Sequence, residues 1–257
     1  MVDAAEMAVE RVIAAMRVNL GEPLTIDDMA RTALFSKFHF SRIFQRVTGV
    51  SPGRFLSAMR LQEAKKLLVS TSLNVADISM RVGYRSVGTF STRFTRSVGL
   101  SPTAYRRLGG YTPQIAQAGA HHSGSTIRGR VTFGSGDPGG FIFLGLFPDR
   151  IPEGRPVRCL VLDRPGAFRL DNVPEGTWYV LVQSVAAPPE VAVSHTFDGD
   201  QGLSVGTLGP LTVPRGVAIT GADVQLMPMR AMDPPVLLAL LDVRKAALSE
   251  SLRDSAA

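Results

Sequence analysis

Residues 36–52 read Ser36-Lys37-Phe38-His39-Phe40-Ser41-Arg42-Ile43-Phe44-Gln45-Arg46-Val47-Thr48-Gly49-Val50-Ser51-Pro52. Fifty positions on, residues 86–102 read Ser86-Val87-Gly88-Thr89-Phe90-Ser91-Thr92-Arg93-Phe94-Thr95-Arg96-Ser97-Val98-Gly99-Leu100-Ser101-Pro102. The shared frame is Phe-Ser, then Phe, then Gly, then Ser-Pro. Upstream, Thr25-Ile26-Asp27-Asp28 matches Asn74-Val75-Ala76-Asp77 at an offset of 49, so one residue is inserted between the two blocks. Thr25 and Asn74 each stand as an N-cap with an acid three residues later, which starts a helix. Each Ser-Pro places Ser at an N-cap and Pro at the first helical position, starting another. Each unit therefore reads as a short helix, a tight turn, a second helix, a Gly stop and a new helix. Two copies are too few for a solenoid.

Two helices joined by a tight turn make a helix-turn-helix. At 100° per residue, Phe40, Ile43, Phe44 and Val47 share one face of the second helix, and Phe38, Ser41, Arg42 and Gln45 the opposite one. In the second copy Val87, Phe90, Phe94 and Val98 form the apolar stripe, with Gly88, Ser91, Thr92 and Thr95 opposite. A helix that reads base edges must offer polar side chains outward, flanked by cations for phosphates. Arg42 and Gln45 meet that need, with Lys37 and Arg46 at the margins. Arg85, Arg93 and Arg96 flank the second helix.

Charge points the same way. The chain of 257 residues carries a net +6. Residues 1–110 hold 16 Lys and Arg against 8 Asp and Glu, a net +8; residues 111–257 hold 12 against 14, a net −2. A basic region joined to a near-neutral one suits a polyanion partner for the first. One cysteine, Cys159, excludes an intrachain disulfide framework and a multi-Cys metal site. No apolar run approaches the ~20 residues of a membrane span, and the N-terminus lacks a basic n-region. A cytoplasmic, nucleoid-associated protein is expected, with no membrane partner, no cofactor, no metal and no catalytic residue.

Residues of about 8–107 resemble the DNA-binding domain of the AraC/XylS family of bacterial transcription regulators. The carrying segments are Thr25-Ile26-Asp27-Asp28-Met29-Ala30, Ser36 through Phe44, Arg60-Leu61-Gln62-Glu63-Ala64 with Leu67-Leu68, Val82-Gly83-Tyr84, and Phe90 through Pro102 to Tyr105-Arg106. The resemblance implies seven helices, with two helix-turn-helix units joined by one long helix. Residues 52–69 would make that helix about 27 Å long at 1.5 Å per residue. It further implies that Phe38, Ser41 and Arg42 face bases in the first unit, and Val87, Gly88 and Thr92 in the second. The second unit departs from the family's long polar side chains there, so specificity is expected mostly from the first unit, and phosphate gripping from the second. The expected DNA-contacting set is Ser36, Lys37, Phe38, Ser41, Arg42, Gln45, Arg46, Arg85, Ser86, Val87, Gly88, Ser91, Thr92, Arg93 and Arg96. Leu34 stands where the second unit has Gly83, which predicts a differently shaped first turn. His39, at a helix edge, is expected at a phosphate or on plain surface.

Residues 109–125, GGYTPQIAQAGAHHSGS, have no periodicity and read as a linker. Exposure is expected for His121 and His122. Beyond them, short apolar runs alternate with turn signals, as in an all-β domain. Strands are predicted at Ile127–Phe133, Phe141–Phe147, Val157–Leu162, Ala167–Leu170, Thr177–Gln183, Val191–Phe197 and Val217–Leu226. Residues 166–182, with 127–131, 213–216 and 224–226, resemble the carboxypeptidase regulatory-like, transthyretin-like sandwich. That fold also houses hydrolases of a purine-degradation intermediate, but their Tyr-Arg-Gly-Ser ending is missing, and His195 is the one sandwich histidine. Cys159 and Trp178 are expected in the core. Pro234–Arg253 carries leucines at heptad-like spacing and predicts a helix, packing on its own sandwich or on a second copy.

The expected fold is multidomain α + β: an all-α double helix-turn-helix domain over 1–109, a linker over 110–125, an all-β transthyretin-like sandwich over 126–228, and a C-terminal helix and tail over 229–257. Expected partners are double-stranded DNA and RNA polymerase, with a small-molecule effector and a homodimer left open. The rival readings are a constitutive DNA-binding protein with a structural or protein-binding sandwich and, more remotely, a DNA-tethered enzyme.

Overall fold

The computed structural model describes residues 4–110, 124–134, 142–185 and 203–237. The chain divides into two units, one built from residues 1–110 and 230–239, the other from 111–229 and 240–257. The linker residues 111–123, the strand expected at Val191–Phe197 with His195, and residues 238–257 of the expected C-terminal helix lie outside the described residues. Residues 234–237 of that helix are non-helical.

The helical unit has the seven helices expected. They are α1 (Ala4–Val18), α2 (Ile26–Ala33), α3 (Lys37–Thr48), α4 (Pro52–Ser70), α5 (Val75–Arg81), α6 (Val87–Val98) and α7 (Pro102–Arg107). The capping chemistry sets their starts. Thr25 and Asp28 form a reciprocal capping box on α2, the Asn74 side chain accepts from the Asp77 amide on α5, and Pro52 and Pro102 open α4 and α7. Gly49 and Gly99 end α3 and α6 at φ 79° and 89°, in the left-handed region that glycine enters without a Cβ clash. The repeat extends into the core. Phe40, Phe44 and Phe55 form an aromatic ladder with centroids 5.5 and 5.4 Å apart, and Phe90, Phe94 and Tyr105 repeat it at 5.6 and 5.6 Å. All six rings are essentially buried. Each such pair adds about 0.5–1.5 kcal/mol beyond its area burial.

The β unit contains β1 (Ser125–Phe133), β2 (Ile142–Phe147), β3 (Arg158–Leu162), β4 (Gly166–Val173), β5 (Gly176–Val185), β6 (Leu203–Val213), β7 (Ala218–Ile219) and β8 (Val224–Pro228). They join as one ribbon in the order β3-β2-β5-β6-β8-β1-β4, with β7 on β1. Two arms of the ribbon enclose one apolar cluster, with Ile127, Val131, Phe168, Leu170 and Val224 from one arm and Ile142, Leu144, Leu146, Val180 and Val182 from the other. Among the described residues the arms meet at two register positions of β6 and β8, Ser204↔Pro228 and Val205↔Met227.

Several sequence expectations need correcting. β6, the longest strand, was not predicted, because Gly206, Gly209 and Pro210 read as breakers. The run Val217–Leu226 is broken into β7 and β8 rather than forming one strand. Cys159 is half-buried, opposite Gly145 of β2, and does not join the core cluster. Trp178 does pack on that cluster, half-buried, with its indole N–H donating to the Pro174 carbonyl at 3.0 Å.

Candidate nucleic-acid interface

Each helix-turn-helix turn rests on one residue with positive φ. Leu34 has φ 60° and Gly83 φ 83°. After them the Phe35 amide donates to the Ala30 carbonyl, and the Tyr84 amide to the Ser79 carbonyl, at 3.0 and 2.9 Å. Leu34 thus takes the same left-handed conformation as Gly83, and the two turns differ in length instead. These bonds match at an offset of 49, whereas the N-caps Ser36 and Ser86 match at 50. The residue inserted between the two blocks therefore lies inside the second turn, at Arg85.

The outward faces of α3 and α6 carry most of the expected residues. Phe38 is 82% exposed. Arg42 and Gln45 are exposed, and their side chains make no hydrogen bond or ion pair among the described residues. The Ser41 hydroxyl donates back to the Lys37 carbonyl at 2.9 Å, and the Lys37 ammonium lies 3.3 Å from Asp27. Ser36, Arg46, Arg85, Ser86, Gly88, Thr92 and Arg96 are exposed as well. The Ser86 side chain accepts from the Thr89 amide, so it is occupied in capping α6. Val87 departs from the predicted apolar stripe: it is 40% exposed, while Phe90, Phe94 and Val98 are buried. Ser91 and Arg93 are half-buried. His39 is exposed and meets the Phe35 ring edge-on at 4.9 Å.

Two arginines whose roles the sequence did not reveal fix the loops leading into the units. Arg60 of α4 donates to the Leu20 and Glu22 carbonyls at 2.9 and 2.7 Å. Its half-burial lowers the guanidinium pKa from its ordinary value. Arg106 of α7 donates to the Leu68, Thr71 and Leu73 carbonyls at 2.9, 3.5 and 2.5 Å. Glu22 precedes Thr25 as Thr71 precedes Asn74, so equivalent loops are held by guanidinium groups from non-equivalent positions. The only signal in the sequence was their place in the segments Arg60–Ala64 and Tyr105-Arg106. Gly83 belongs to the first knot: a Cβ there would lie 2.5 Å from the Leu20 carbonyl oxygen.

Among the described residues there is no cluster of three His, Cys, Asp or Glu side chains suited to a metal ion. No helix among them is long and apolar enough to cross a membrane.

A helical unit with two such turns and two outward faces defines a double helix-turn-helix domain. Residues 29–108 match the family described as a helix-turn-helix domain. The chain is 35% identical over 88 residues to the HTH-type transcriptional activator AarP of Providencia stuartii, covering 34% of this chain and 65% of that one. It is 32% identical over 104 residues to the melibiose operon regulatory protein of Escherichia coli K12, covering 40% and 34%. The DNA-binding domain of AdpA, solved with a target DNA, is 31% identical, with 39% of this chain and 90% of that chain covered and a TM-score of 0.38. The helical unit is an AraC-type helix-turn-helix domain, of the kind found in AraC/XylS regulators. The chain spans about two-thirds or less of the length of the curated relatives it matches.

Proposed function

We propose that this chain is a sequence-specific DNA-binding transcription regulator whose two helix-turn-helix units enter successive major grooves. The observation that carries the reading is the paired outward faces of α3 and α6, one repeat apart, with Arg42 and Gln45 exposed and unbonded. The regulatory names of AarP and the melibiose protein support it, as does the net +8 of residues 1–110. The 19 residues of α4 span about 28 Å. That suits a spacer between readers of half-sites one helical turn, about 34 Å, apart.

The two units divide the work. Arg42 can take guanine O6 and N7 bidentately, and Phe38 offers an apolar surface to a thymine methyl. Val87, Gly88 and Thr92 offer no bidentate partner, so the second unit contributes chiefly phosphate contacts through Arg85 and Arg96. The β unit is a transthyretin-like accessory module that modulates binding through a small-molecule effector or self-association. RNA polymerase is the proposed protein partner, and the bacterial nucleoid the proposed location. A catalytic role has no supporting observation.

Binding of the full chain to fragments of its own upstream DNA, at several salt concentrations, tests the reading. A footprint of about two helical turns is expected. Salt-sensitive binding without sequence preference would reduce the helical unit to a phosphate-gripping module.

A further inference from the structure

Residues 230–237 follow the last strand directly yet fold with the helical unit. The Met229 amide donates to the Leu203 carbonyl at 2.9 Å, as the last bond between β6 and the residues after β8. From Arg230 the chain already belongs to the helical unit. Met232 and Leu237 are 4% and 0% exposed. The Lys65 ammonium of α4 donates to the Val236 carbonyl at 3.2 Å. Asp233 accepts from the Arg230 amide and guanidinium at 2.7 and 3.1 Å. Asp233, with Glu6 and Glu10 of α1, holds the Arg230 guanidinium above its usual range. Pro234 and Pro235 fix their own φ and reduce the freedom this segment loses on docking.

We infer that the DNA-binding unit is discontinuous: Arg230–Leu237 is a strap that completes it against α1 and α4, and through the strap the state of β8 sets DNA affinity. The β unit is then an insertion between two parts of one helical domain. The second half of this inference rests on the DNA-binding reading above; the first half does not. Any event that shifts β8 pulls on a segment whose buried anchors are Met232 and Leu237. Burying those anchors favours the docked strap, and α1 and α4 lose that support when it leaves.

Hydrogen–deuterium exchange of the full chain, carrying Leu237→Ala or Lys65→Met, tests both halves. Leu237→Ala is expected to speed exchange in α1 and α4 about tenfold or more while β2 and β5 stay unchanged. Lys65→Met, which removes the bond to the Val236 carbonyl, is expected to move the same segments by a few-fold. DNA affinity is expected to fall about tenfold for Leu237→Ala. Unchanged exchange in α1 and α4, or faster exchange in β2 and β5 instead, overturns the strap. Faster exchange with unaltered DNA affinity overturns the coupling. A wild-type chain that binds no DNA sinks the regulator reading and leaves the exchange result to decide the strap alone.

Discussion

Leu34 and Gly83, 49 residues apart, hold the same left-handed conformation, and only one of them is glycine. Leu34 is 80% exposed, so its side chain gains little from burial while its backbone bears the left-handed cost of roughly 1–2 kcal/mol. Leu34→Gly should therefore be neutral or stabilising by up to about 1 kcal/mol, after the extra freedom glycine gives the unfolded chain. Gly83→Ala should destabilise by about 3 kcal/mol or more, since its Cβ would meet the Leu20 carbonyl and the Arg60 guanidinium. Chemical denaturation of the two variants checks the opposite signs.

Arg42→Ala should cost about 1–3 kcal/mol on the preferred site and relax specificity at one half-site only. Arg96→Ala should weaken binding to all sequences alike and lower the salt slope by about one unit. Titrations against a panel of single-base operator variants separate the two. Equal losses on every sequence for Arg42→Ala would contradict its assigned role.

Arg60→Met should destabilise the helical unit by about 2–3 kcal/mol, because the Leu20 and Glu22 carbonyls lose charge-assisted donors. Arg60→Lys should recover only part of this, since an ammonium lacks the planar fork that spans both carbonyls. Unfolding midpoints of the two variants are the check.

Asp28 gives the helical unit an acid-sensitive start. The Thr25 hydroxyl, then its amide, then Arg31 hold the Asp28 carboxyl below its ordinary value of 3.8. A carboxylate whose folded pKa is depressed adds stability above its unfolded pKa and loses it as the pH falls through the folded one. Asp28→Asn should thus lower the melting temperature at neutral pH, and the difference from wild type should shrink as the pH falls below the ordinary value of 3.8 and through the depressed folded one. A gap that persists at low pH would show that the charge is not the source.

The helical unit was legible because its signals are local. Thr25 with Asp28, Asn74 with Asp77, and the Ser-Pro pairs fix helix starts within four residues, and the phenylalanine spacing fixes the buried face. The long-range bonds were not legible: nothing near Arg60 or Arg106 says which carbonyls it will reach some 33–40 residues away. The insertion was found by counting, but its place at Arg85 needed the backbone bonds after Leu34 and Gly83. In the β unit, Gly206, Gly209 and Pro210 hid the longest strand, because their cost is outweighed by pairing with β5 along nearly its whole length. Cys159 misled because β3 is a terminal strand of the ribbon whose residues after Arg158 are all half-buried, so alternation there does not mark the core.

β3 and β4 are the terminal strands of the ribbon, and Arg158 joins them. This arginine of β3 is 6% exposed and donates to the Asp171 carbonyl of β4 at 3.3 Å. An unpaired strand edge is a template on which a stray extended segment can polymerise. Here the two ends of the ribbon are latched to each other, and the Asp171 carbonyl is already taken. The latch is a guard against aggregation, and it steers any self-association of this unit away from strand addition at that corner.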